Sequence, residues 1–173
     1  MTRAMMWLGS HKAVTLFLGL IYYILTVVLH DQVQGIFLAA KDQFGLKAYT
    51  IGLIAITLGG LLLVTLLILK KSSPGRRLGL VYWFVSMVLI AVAYIVILVL
   101  PSEYIHIAQY AVLALFVYPL CRRFTDTVVW VTILGALDEW YQYAILHADW
   151  GIYFDFNDVV LNLLGGGMGA AVI

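Results

Sequence analysis

Charge is what this chain has least of. Only 11% of its 173 residues are charged, 64% are apolar, and the mean hydropathy is +1.03. A water-soluble domain of this length cannot hide so much apolar surface, so lipid must be its main solvent. With a formal charge of +1 it lacks the basic field that a nucleic-acid or acidic-polymer partner requires. The one cysteine, Cys121, excludes an internal disulfide and any cysteine-rich metal site; beside Arg122 it reads as a small apolar filler. Proline is equally sparse, and Pro101 separates two apolar runs because the residue before a proline is biased away from helix.

What is abundant is apolar sequence of membrane-spanning length. Runs at 13–29, 49–69, 78–100, 101–120, 127–146 and 155–173 each approach the ~20 residues that cross ~30 Å of hydrocarbon as a helix. The expected fold is all-α: a polytopic transmembrane helical bundle of about six spans forming one domain over 1–173. Residues 1–77 supply two N-terminal spans and 78–173 the core. The first run follows Arg3 and Lys12 without a small-x-small cleavage site after it, and reads as a retained signal anchor. Residues 30–47 set Ile36, Phe37, Leu38 and Phe44 against Asp31, Gln34, Lys41 and Asp42. Two readings stand for that segment, a helix lying flat at the interface or a solvated loop.

The basic residues orient the bundle. With the N-terminus inside, Arg3, Lys12, Lys70, Lys71, Arg76, Arg77, Arg122 and Arg123 are cytoplasmic, and only Lys41 and Lys47 fall outside. Both termini are then cytoplasmic. Asp31, Asp42, Glu103, Asp149, Asp155 and Asp158 land at the outer face and Asp126 at the inner one. Asp138 and Glu139 lie about 22 Å beyond Arg123 along a helix, in the outer half of the bilayer.

An ionised group in hydrocarbon is costly and commonly marks a relay, a pathway or a binding site. Here such groups recur at helical spacing on three consecutive runs. Glu103, His106 and Tyr110 share one face of the fourth, with Gln109 beside them; Asp138, Glu139 and Gln142 lie on the fifth; Asp155, Asp158 and Asn162 lie on the sixth. Adjacent residues point about 100° apart, so Asp138 and Glu139 cannot both aim at one centre. One faces a cavity and the other pairs with a neighbouring helix. All lie within about 15 Å of the outer surface, which implies a shared polar pocket opening outward. The competing reading is interhelical glue, each bond worth about 1 kcal/mol or less. Gly165 and Gly169 form a G-x-x-x-G that lets another helix approach closely, and Gly59-Gly60 reads as a second packing notch. Trp140, Tyr141, Tyr143, Trp150 and Tyr153 form an aromatic belt near the outer surface.

Three ordered motifs carry a family resemblance. Glu103-Tyr-Ile-His106-Ile-Ala-Gln109-Tyr110 resembles the E-x-x-H helix of VanZ-like membrane proteins, Gly135-Ala-Leu-Asp138-Glu139-Trp-Tyr-Gln142 resembles their G-x-x-D-E-x-x-Q signature, and the stretch from Asp155 through Asp158, Asn162 and Gly165 to Gly169 is similar to their closing D-x-x-D-x-x-x-N-x-x-G-x-x-x-G. The match covers about residues 101–169. Gln109 stands where those proteins frequently carry an acid, and 147–154 lacks the arginine common there. The resemblance implies a bacterial cell-envelope protein of the cytoplasmic membrane, with a role of the glycopeptide-resistance type and no established reaction.

Three functions compete. In the first, the pocket binds a lipid headgroup or envelope precursor, the acids meeting cationic groups directly or phosphates through a divalent metal. In the second, the chain modifies such a lipid, with His106 and a carboxylate such as Glu139 as the acid–base pair, although no nucleophile motif accompanies them. In the third, it is an accessory subunit of a larger membrane complex, docked through the glycine-lined last span. No cofactor other than a divalent metal is suggested.

Overall fold

The computed structural model describes residues 3–70, 73–97, 103–150 and 153–173, and they are almost entirely helical. The sequence break at Pro101 lies outside the described residues. Seven α-helices follow in order: α1 (Arg3–Ser10), α2 (Lys12–Val28), α3 (His30–Leu69), α4 (Ser73–Ile97), α5 (Tyr104–Cys121), α6 (Phe124–Tyr141) and α7 (Phe156–Val172). A π-helical turn, Gln142–Leu146, continues α6, and a single 3₁₀ turn, Ala148–Trp150, follows it.

Helix α2 occupies the residues of the first apolar run, but α1 before it is a separate helix that hydropathy alone does not separate from a basic leader. The chain bends by 103° between them at His11. Side chains hold the bend: the Thr15 hydroxyl donates to the Leu8 carbonyl at 2.7 Å, and the Trp7 and His11 rings stack with centroids 4.5 Å apart. Segment 30–47 is helical and is no loop. It belongs to α3, which is interrupted where Gly45 takes φ 78°, ψ 156°, a conformation that only glycine adopts readily.

Helix α7 sits at the centre and packs chiefly on α5, then on α6 and α4. Its buried face is built of small residues: Gly165, Gly166, Gly169, Ala170 and Ala171, with Leu161, Leu164 and Met168. One apolar cluster gathers Tyr110, Leu113, Ala114 and Val131, with Tyr22, Tyr23, Val117 and Leu134 against it; another gathers Ile68, Trp83 and Met168. The remaining apolar surface faces outward along every helix, including Phe17, Ile24, Ile56, Leu62, Phe84 and Val129. That inside-out distribution is what a lipid solvent permits. Among the described residues nothing stands within 4 Å of a Cβ added at Gly59 or Gly60, so none of them fills the notch expected there.

Among the described residues, two helices are long and apolar enough to cross a membrane, α3 and α4, or three if the bent α1–α2 pair is one span. Helices α5, α6 and α7 have 18, 18 and 17 residues, the lower limit for a span, and α6 carries three acids. In α5, Pro119 removes a backbone donor near the C-terminus, and the helix stops within a turn at Arg122, which is left-handed at φ 59°.

Two tyrosines on α2 fasten it to the core. The Tyr22 hydroxyl donates to the Gln109 carbonyl at 2.9 Å and the Tyr23 hydroxyl to the Leu134 carbonyl at 2.8 Å. Replacing both by Phe is expected to lower stability in detergent by about 1 kcal/mol per lost bond or less, read as a depressed unfolding temperature.

Candidate functional site

Helices α5 and α7 run parallel in direct contact, and α6, which links them in sequence, packs against both, so the three polar faces meet. The register is fixed by backbone approach: Gly165 stands against Ile107 and Gly169 against Ala111, advancing together by four residues on each helix. Gly135 on α6 makes room for Asn162, since a Cβ there would fall 2.6 Å from the Asn162 Cβ. These glycines let side chains from three helices share a small volume.

The polar groups divide into two connected sets. In the first, Asp138 is tied on both oxygens: Tyr110 donates its hydroxyl to Oδ2 at 2.8 Å, and the Gln142 amide donates to Oδ1 at 3.2 Å. In the second, His106 is central. Its Nδ1 lies 3.1 Å from Asn162 Oδ1, its Nε2 3.5 Å from Asp158 Oδ2, and Glu139 Oε1 stands 3.9 Å from Nδ1. Gln142 joins the sets through a longer bond to Glu139 Oε1 at 3.4 Å. The adjacent carboxylates thus divide their tasks. Asp138 pairs with α5 through Tyr110, while Glu139 faces the histidine.

The cluster is closed: His106 is 3% exposed, Asp138 1%, Glu139 4% and Asn162 0%, with Asp158 the most open at 13%. The π-turn after α6 begins at Gln142, the residue that bridges both acids; such widened turns recur at functional sites. Two expected members lie at helix ends instead. Asp155 caps α7, its carboxylate accepting from the Asn157 N–H at 2.8 Å, and Glu103 sits half-buried at the start of α5. Gln109 contributes its backbone carbonyl to Tyr22.

Some participants were not anticipated. His30 brings its ring within 6.0 Å of the His106 ring, and Asp31 reaches His147 Nε2 at 3.2 Å, fastening the start of α3 to the segment after α6. On the expected topology Asp31 and His147 fall on the same side of the bilayer, and that was the available signal; nothing in the periodicity pairs them. A cavity of about 370 Å³, lined by Met6, Gly9, Ser10, Tyr118, Pro119 and Arg122, lies at the other end of α5 and shares no residue with the cluster.

His106, Glu139 and Asp158 each offer a ligand atom, all within 4.8 Å of one another, and this buried triad can hold a metal ion. No family model matches the chain, and neither a curated protein nor a solved structure matches it significantly.

Proposed function

We propose that the chain is a VanZ-like, multi-pass protein of the bacterial cytoplasmic membrane whose α5–α7 site binds the polar headgroup of a lipid or envelope precursor. The observation that carries this reading is the set formed by two buried carboxylates, a third that is 13% exposed, a buried imidazole and a buried asparagine among largely apolar helices. Packing requires one or two polar contacts, whereas burying several acids adds a desolvation cost that packing does not require. Asp158, the least buried member, is the side from which a headgroup reaches the rest. Native mass spectrometry of protein extracted from membranes tests the reading directly. A retained polar lipid that is lost in Glu139→Gln supports it, and lipid retention independent of that residue refutes it.

The architecture in this proposal has six spans with both termini inside. In support, α5 and α7 have 18 and 17 residues, at the lower limit of spanning length, and the π-turn continues α6 to residue 146. With Cys121 replaced by Ser, an impermeant thiol reagent applied to intact cells should label Trp150→Cys and spare Pro74→Cys. Labelling at position 74 would overturn the orientation.

A second reading, a subunit within a larger membrane complex, is favoured by one observation. Helix α3 buries almost none of its apolar surface in this chain, and Gly59 and Gly60 leave an open notch on it. Stable co-migration with other membrane proteins in mild detergent would support that assignment.

A further inference from the structure

The hydrogen bonding around His106 leaves an electrostatic conflict that a cation resolves. Asn162 Oδ1 can only accept, so the proton on Nδ1 points to it and a neutral imidazole carries its lone pair on Nε2. Nε2 in turn faces Asp158 Oδ2 at 3.5 Å, another acceptor. Two lone pairs facing each other in a buried site need a proton or a metal ion between them. The surrounding charge decides which. Asp138, Glu139 and Asp158 crowd around one imidazole, and the sequence places no lysine or arginine anywhere in 103–121 or 124–173. Even two imidazolium rings, His106 and the His30 ring 6.0 Å from it, would leave the three acids short of positive charge. Asp158 Oδ1 is in addition buried without a hydrogen-bond partner, a state that costs free energy unless something meets it.

We infer that His106, Glu139 and Asp158, whose ligand atoms lie within 4.8 Å of one another, form a binding site for a first-row divalent metal of the zinc class, with Asp158 on the Nε2 side of the ring and Glu139 reaching in from the Nδ1 side. One nitrogen and two carboxylate donors suit Zn²⁺ or Mn²⁺ and disfavour Mg²⁺ and Ca²⁺, which take oxygen ligands. Asn162 plays the orienting part that a metal-bound histidine requires, holding the distal N–H so that the other nitrogen points at the ion. Asp138 lies outside the ligand set because both of its oxygens are already engaged. Three protein ligands leave a position open, which matches a site meant to meet a further group rather than a closed structural centre. The inference rests on the headgroup reading only for what takes that position, where a lipid phosphate oxygen fits the chemistry.

The test uses the full chain in detergent, stripped with a chelator and titrated with Zn²⁺ against a competing indicator. One ion per chain is expected, undisturbed by excess Mg²⁺. His106→Asn, Glu139→Gln and Asp158→Asn should each weaken binding by about 100-fold or more, and Asn162→Ala by about tenfold, as expected for a residue acting through a ligand. Asp126→Asn, on the far end of α6, should change nothing. X-ray absorption of the wild-type protein loaded with Zn²⁺ should show one imidazole among oxygen ligands, so the inference remains testable if a variant fails to fold. Absence of saturable Zn²⁺ binding, or binding unchanged in all three ligand variants, overturns it. Lipid retention is measured separately on the same samples. Zn²⁺ binding without Glu139-dependent lipid retention keeps the metal site and removes the headgroup reading; the reverse result removes the metal site alone.

Discussion

Alanine at Gly165 or Gly169 is expected to destabilise the protein by about 1–3 kcal/mol each, far more than alanine at Gly59 or Gly60. The reason lies in what a methyl group would meet. At Gly165 it falls onto the backbone carbonyl of Ile107, with the Ile107 Cα 2.9 Å away; at Gly169 it falls onto the carbonyl of Ala111, with Cα 2.8 Å away. Backbone cannot rotate aside as a side chain can, so α5 and α7 must separate. The consequence reaches the site, because Asn162 lies one turn from Gly165 and bonds to His106, one residue before Ile107. Loss of thermal stability and of metal binding should therefore occur together in these variants. Gly59→Ala and Gly60→Ala are the controls. No described residue lies within 4 Å of a Cβ added at either position, and alanine is favoured over glycine in a helix by roughly 0.5–1 kcal/mol, so these should be neutral or slightly stabilising in the isolated chain. Equal effects at both pairs would show that α5 and α7 are not packed as described.

That contrast also shows what a sequence can and cannot convey here. Helical class and the positions of most elements follow from apolar run length, which is why α2, α4 and α7 fall close to the expected residues. The spacing of His106 with Tyr110, Glu139 with Gln142, and Asp158 with Asn162 reports which groups share a helix face, and those groups are brought together between α5, α6 and α7. Glycine identity was less informative. Gly165-x-x-x-Gly169 and Gly59-Gly60 look alike as small-residue notches, but only the first has a neighbouring backbone against it, and that depends on which helices are adjacent. The bend at His11 and the break at Gly45 were hidden for a related reason. A hydropathy run does not register a change of direction made by one residue's backbone angles. The Asp31–His147 contact joins residues 116 positions apart, and no periodicity links them.

Glu139→Gln is expected to leave the fold intact while lowering metal or headgroup binding by about 100-fold or more, equivalent to about 2.8 kcal/mol or more. The carboxylate and the amide are nearly the same size, and the amide oxygen can still accept from Gln142, the only hydrogen bond seen at Glu139 among the described residues. An amide cannot ionise, so it avoids the desolvation and repulsion that a buried carboxylate among other acids brings, and the unfolding temperature should stay level or rise slightly. Asp138→Asn should behave in the opposite way. Its Oδ2 accepts from Tyr110 and its Oδ1 from Gln142; with the new amide oxygen kept toward the Gln142 amide, the amide nitrogen meets the Tyr110 hydroxyl, which must turn to accept and gives up its bond to a carboxylate oxygen, at a cost of about 1 kcal/mol. The pair therefore separates the two meanings that buried acids can have, on adjacent residues of one helix. Melting temperature and binding measured side by side give the answer. If Glu139→Gln unfolds the protein as Asp138→Asn does, with no separable loss of binding, the cluster is interhelical glue and the functional assignment fails. If Glu139→Gln stays folded and loses its ligand, the carboxylate is there for something other than packing.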